Sequence, residues 1–188
     1  MLTNRLLLAM VMAASLAGCS TTMRVTNPAL AEHGGNDEDS QLLFWHTLAD
    51  RPITGNDDAF HGMLLFLNAN DDAGSYADRL AALRARGLLP AGFNEPADAP
   101  VRRGTVAVML VKLLDMKGGW AMHVFGPNPR YALRELQYKG LMPYSSPQQT
   151  FTGMEYVGVI GALEDYQSRT GRRQAAREPA TTAPSVGG

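Results

Sequence analysis

The residues able to do chemistry are few and scattered. There is a single cysteine, Cys19, and it follows Leu16, Ala17 and Gly18 at the end of an apolar run. A thiol there can act as a nucleophile or carry a covalent group, but one cysteine makes neither an internal disulfide nor a multi-cysteine metal site. His33, His46, His61 and His123 are widely separated and include no i, i+4 pair of the kind that holds zinc on a helix. Asn68-x-Asn70-x-Asp72 has the alternation of a calcium loop, yet Gly74 is misplaced and Arg79 stands where a bidentate glutamate is needed. The chain contains no Gly-x-Ser-x-Gly elbow, phosphate loop or dinucleotide fingerprint. The expectation is a protein that is not an enzyme and has no metal or dissociable cofactor. With 17 basic against 18 acidic side chains it also lacks the basic footprint of a nucleic-acid binder, so none is expected as a partner.

The context of Cys19 is more specific. Arg5 gives a positive start, and the apolar stretch from Leu6 to Ala14 is too short for a membrane span of about 20 residues but suits an export signal. Leu16-Ala17-Gly18-Cys19 resembles the lipobox of bacterial lipoproteins, an aliphatic residue and two small residues before a cysteine. The resemblance implies that residues 1–18 are removed as a signal peptide. It also implies that Cys19 carries a diacylglyceryl thioether and an N-acyl chain, two or three acyl groups that anchor far better than one. Ser20, where an aspartate would retain such a protein at the inner membrane, implies an outer-membrane location facing the periplasm.

These features need a scaffold, and 45% apolar against 19% charged residues is enough to fill one core. Residues 19–40 are polar and read as a flexible linker holding the body roughly 25 Å from the membrane on average. Residues 168–188, rich in Arg, Ala, Thr, Pro and Gly, read as a disordered tail. Between them, 41–167 reads as an all-α body. Leucines recur at helical spacing through Leu80 and Leu83, Val106, Met109, Leu110 and Leu113, and Leu133 and Leu136, and a further apolar face runs through Tyr156, Ile160 and Leu163.

The helices repeat. Setting Gly87 over Gly140 places Leu80 on Leu133, Leu83 on Leu136, Leu88 on Leu141 and Pro90 on Pro143. The shared pattern is a helix ended by a glycine C-cap, a hydrophobic residue and a proline stop. A second helix opens after each copy, at Val101-Arg102-Arg103 and at Phe151-Thr152-Gly153, with an earlier match at Ile53-Thr54-Gly55. Three units follow, at about 41–68, 75–116 and 129–166.

This arrangement resembles the S-layer homology family, whose units pair a helix ending in a Gly-Leu turn with a second helix opening on an Ile-Thr-Arg-Ala-Glu-like motif. The third unit matches best, from Tyr131 through Gly140-Leu141 to Phe151-Thr152-x-x-Glu155-Tyr156-Val157. The resemblance implies a pseudo-threefold helical prism that binds cell-wall polysaccharide or peptidoglycan in grooves between units. The motif arginine would be Arg103, with Gly55 and Gly153 in its place elsewhere, and the acidic position would hold Asp57, Thr105 and Glu155. Candidate contacts are therefore Arg103, Thr152, Glu155 and Trp120. A guanidinium fork fits a sugar carboxylate, and an indole face stacks on a sugar. Each has a second reading: Thr152 with Glu155 three later is a capping box, and a tryptophan after a helix commonly plugs a core. The loops 91–99 and 120–128 are long enough to shape a groove. Two functions remain open, a membrane-anchored envelope protein that binds wall polymer, and an adaptor that keeps the fold to bind an envelope protein.

Overall fold

The computed structural model describes residues 23–117, 122 and 126–175. Cys19 with the signal segment before it, Trp120, and the tail from 176 onward lie outside the described residues. Six α-helices are described: α1 (Glu38–Ala49), α2 (Asn56–Asn68), α3 (Tyr76–Ala85), α4 (Arg103–Leu113), α5 (Pro129–Tyr138) and α6 (Gly153–Ala175). A 3-10 turn at Ala29–Ala31 precedes them, and the only extended pairing among the described residues is two isolated bridges, Gly55 with Pro100 and Arg102 with Thr150. The chain is helical, as its periodicity predicts. No helix among the described residues is long and apolar enough to cross a membrane.

The starts and stops have local causes. Asp37 and Ser75 cap α1 and α3 by accepting from Ser40 N and Asp78 N, and Asn128 caps α5 ahead of Pro129 at its first position. The two repeated Gly-Leu turns are Schellman caps. Gly87, at φ 67°, donates to Arg84 O (2.8 Å) and Leu88 N to Leu83 O (3.0 Å). Gly140, at φ 70°, donates to Gln137 O (3.0 Å) and Leu141 N to Leu136 O (2.9 Å). The left-handed step turns Leu88 and Leu141 back into the core, where each is buried.

The six helices form a closed arrangement of three pairs. α2 packs on α3, α4 on α5, and α6 returns to α1, so the last helix in the chain pairs with the first. The backbone repeats that order at the openings of α2, α4 and α6. Asn56 N donates to Ala99 O (2.9 Å) in the chain before α4, and Arg103 N to Gln149 O (2.7 Å) in the chain before α6. Gly153 N then donates to Arg51 O (2.9 Å) in the chain before α2. On the inside, Thr54 N donates to Phe151 O and Val101 N to Thr54 O, both at 2.9 Å, between residues that are fully buried. The helices pack on one continuous core that includes Phe44, Phe60, Met63, Leu83, Met109, Leu133, Leu136 and Tyr156. The Tyr156 hydroxyl donates to Ala59 O (2.5 Å), tying α6 to α2.

Three expectations change. The segment expected as a linker from 19 to 40 is folded onto the body from Arg24 onward: Val25 and Ala29 are buried, Val25 N donates to Asp98 O (2.7 Å), and α1 already begins at Glu38. The tail expected from 168 continues α6 to Ala175, because Gln, Arg and Ala are good helix formers that need no apolar face to extend a helix already nucleated. The first opening is also shifted by one residue. Since α2 begins at Asn56, it is Asn56, not Gly55, that occupies the place of Arg103 and Gly153, and Asp58, not Asp57, that matches Thr105 and Glu155.

The seam that closes the ring leaves no space at Gly153, where an added Cβ would stand 1.5 Å from the Leu48 carbonyl oxygen. Gly158, one and a half turns along the same helix, meets nothing within 4 Å. Gly153→Ala is expected to destabilise the fold by about 3 kcal/mol or more, and Gly158→Ala to stabilise it by roughly 0.5–1 kcal/mol. Urea denaturation of the two variants checks both signs.

Candidate functional site

Arg103 is the first residue of α4 and Glu155 the third of α6, and the seam between those helices brings them together. Arg103 Nη2 donates to Glu155 Oε1 (2.5 Å), Nε donates to Thr150 O (3.0 Å), and the guanidinium lies over the Phe151 ring at 5.0 Å from its centre. The arginine is buried. Glu155 Oε2 meanwhile accepts from Thr152 N (3.0 Å) and from its hydroxyl (3.3 Å), while Glu155 N donates back to Thr152 Oγ1 (3.2 Å). That reciprocal pair is a capping box. The Thr152 amide and the Arg103 guanidinium hold the Glu155 carboxyl below its usual range. Arg103, Thr152 and Glu155 are therefore gathered into one cluster, with the fork facing an internal carboxylate.

Beside this cluster the seam opens into a groove of about 180 Å³. One wall is the turn from Pro90 to Glu95, so the loop expected to shape a groove does so. Arg102, Thr105, Pro129, Pro147 and Gln148 line the rest of it. Arg102 is the exposed member of the Arg-Arg pair. Its Nη1 donates to Gln148 Oε1 (2.9 Å) and its Nη2 lies 3.5 Å from Glu95 Oε1. Both carboxylate and guanidinium are more than 40% exposed, so the pairing is weak. Sequence reasoning singled out Arg103 from the family motif and passed over its neighbour. The signal was available in the helix phase, because the N-cap residue points outward while the first helical residue turns into the seam.

A second cluster was not anticipated. His61 Nδ1 lies 2.6 Å from Asp71 Oδ2, and Arg79 Nε donates to the same oxygen (2.5 Å). Arg79 also reaches Asp57 Oδ1 (3.0 Å) and Ala73 O (3.2 Å), and Asn36 clamps the Asp71 backbone through both its amide atoms. His61 is sealed, edge-on to Phe44 at 4.5 Å, and its Nε2 has no hydrogen-bond partner. Burial lowers the His61 pKa. Burial pushes Asp71 up, but the His61 and Arg79 hydrogen bonds outweigh it and hold that carboxyl low. A neutral imidazole donating from Nδ1 to the Asp71 carboxylate fits these shifts. Both side chains are fully buried, and the pair ties the residues after α2 to the folded segment before α1.

Asp58 is the other buried carboxylate, and burial raises its pKa. It accepts from Ala29 N (3.2 Å) and Leu30 N (2.9 Å), which holds the 3-10 turn against the start of α2. Among the described residues no group of three His, Cys, Asp or Glu side chains is placed to hold a metal ion. No family model matches the chain, and no curated protein or solved structure matches it either.

The sign of the His61 effect is fixed by its lowered pKa. As pH falls below about 6.5 the unfolded chain takes up a proton at this residue and the folded one does not, so stability drops, by up to about 1.4 kcal/mol per pH unit until the folded pKa is reached. Chemical denaturation between pH 7 and pH 5 is expected to show this slope, and His61→Gln, which retains a donor for Asp71, is expected to flatten it.

Proposed function

We propose that the chain is an envelope lipoprotein, acylated at Cys19 and facing the periplasm from the outer membrane, whose body is a non-catalytic, S-layer-homology-like prism acting as a protein-binding adaptor. The cyclic order of helix pairs and seam hydrogen bonds supports the pseudo-threefold reading. One observation carries the choice of adaptor: Arg103, whose fork the family resemblance assigns to a sugar carboxylate, is buried and held by Glu155. The pair, a buried guanidinium against a half-exposed carboxylate, spans one seam and turns one edge of the fork to the protein itself. The open groove beside it is what remains for a partner. The wall-polymer reading keeps one observation in its favour, the half-exposed guanidinium of Arg102 in a polar groove.

The test combines lipid labelling with cross-linking in cells. The wild type takes up labelled acyl chains and Cys19→Ser accumulates as an unlabelled precursor; normal processing of that variant ends the lipoprotein reading. A photo-reactive residue at Asn94, exposed on the groove wall, is expected to give a discrete protein adduct, whereas one at the exposed Glu164 on α6 is not. Retention of the purified protein on cell-wall sacculi, lost in Arg102→Ala, would replace the adaptor by the polymer binder.

A further inference from the structure

The groove has a twin elsewhere in the fold, and the twin is occupied. A smaller cavity of about 80 Å³ lies in the seam between the first and second units, lined by Gly55, Asp57 and Asp58 at the start of α2 and by Ala97 and Asp98 before α4. The open groove is lined by Arg102, Gly104 and Thr105 at the start of α4 and by Pro147 and Gln148 before α6. These sets correspond position by position. Gly55 and Arg102 are the N-cap residues, and Asp58 and Thr105 are the third residues of their helices. Asp57 N donates to Ala97 O (3.1 Å) as Gly104 N donates to Pro147 O (2.9 Å), and Asp98 and Gln148 follow those acceptors.

What differs is the filling. In the first seam the protein's own segment around Val25 and Pro28 completes the wall, extended at Pro28 with φ −68° and ψ 141°. Val25 N donates to Asp98 O (2.7 Å), Ala29 N and Leu30 N donate to the Asp58 carboxylate, and Arg24 pairs with the Asp98 side chain. In the second seam the matching acceptors, Gln148 O and Thr105 Oγ1, receive no protein hydrogen bond among the described residues.

We infer that the seam between the second and third units is a docking groove for an extended peptide segment of a partner protein, held through its backbone as residues 24–30 are held in the first seam. This rests on the adaptor reading and names its partner's chemistry. Backbone donors of the peptide meet Gln148 O and the Thr105 hydroxyl, the mode of recognition in which the main chain supplies the register and one or two side chains supply the choice. The choice falls to Arg102. Val25 lies against bare Gly55, with its Cγ2 only 3.5 Å from where a Cβ would be. The counterpart of Gly55 is an arginine, so the peptide residue in Val25's place carries a carboxylate, which displaces the weak, exposed contact to Glu95. A second copy of this chain does not supply the segment, because its residues 24–30 are already held in its own first seam.

Two fluorescent synthetic peptides test this against the full-length protein in detergent: the sequence from Arg24 to Ala31, and the same peptide with Val25→Asp. The aspartate peptide is expected to bind the wild type at least tenfold more tightly than the valine peptide. Arg102→Gly, which keeps a good N-cap residue, is expected to reverse the preference. A photo-reactive group on the peptide is expected to mark Asn94 or Gln148. Absence of binding by both peptides, equal affinities for both proteins, or marking of Asp98 through displacement of the native segment would overturn the groove assignment. So would a photo-reactive residue at Asn94 that captures residues 176–188 of the same chain, or sugar fragments from sacculi that displace the aspartate peptide. If the peptide preference switches as expected while Asn94 captures no protein in cells, the groove stands and the adaptor reading falls.

Discussion

The fold depends on three backbone hydrogen bonds that run in a circle. Asn56, Arg103 and Gly153 each open a helix and each donates to the chain that leads into the next such helix, the last donating back to Arg51 in the chain before α2. A helix start has amides with no partner inside the helix, and here one of them at each opening is satisfied by a neighbouring unit. The constraint is therefore reciprocal: no opening is complete without the unit beside it. The same dependence holds for side chains, since the helix pairs that pack, α2 on α3, α4 on α5 and α6 on α1, each join neighbours around the ring.

The three openings meet the same constraint with different chemistry. At Gly153 the backbones approach so closely that no side chain fits. At Arg103 a long side chain crosses the seam and joins the capping box of the next helix, so one carboxylate caps α6 and neutralises α4's arginine. At Asn56 the side-chain amide donates to Pro96 O (2.9 Å), and the buried carboxylate two residues on holds the segment before α1. A motif arginine in all three places would not fit this ring. At the third opening the Leu48 carbonyl leaves room for glycine alone.

How much of this was legible depended on the range of the interactions. Helix ends marked by Gly87-Leu88 and Gly140-Leu141, and the Thr152–Glu155 box, act within four or five residues and could be read directly. The His61–Asp71–Arg79 cluster could not, because Asp71 sits inside an Asn/Asp-rich stretch that looks like any helix entry, and its burial depends on Asn36 arriving from a distant segment. Residues 24–30 were hidden by composition. They attach through backbone amides, two small apolar side chains, Val25 and Ala29, and an exposed pairing of Arg24 with Asp98. The one-residue shift at α2 was invisible for a related reason, since Gly55 and Asn56 are both good N-cap residues and only the seam decides between them.

The central claim is that the three units stand or fall together through the seam. Native-state hydrogen exchange read at the amides of Asn56, Arg103 and Gly153 measures this most directly. The account predicts that all three exchange only through global opening, with one shared free energy and one shared denaturant dependence. Gly153 exchanging through a separate, low-energy opening while Asn56 and Arg103 remain protected would contradict it, because the ring would then be an open stack of two units with the third docked loosely against it.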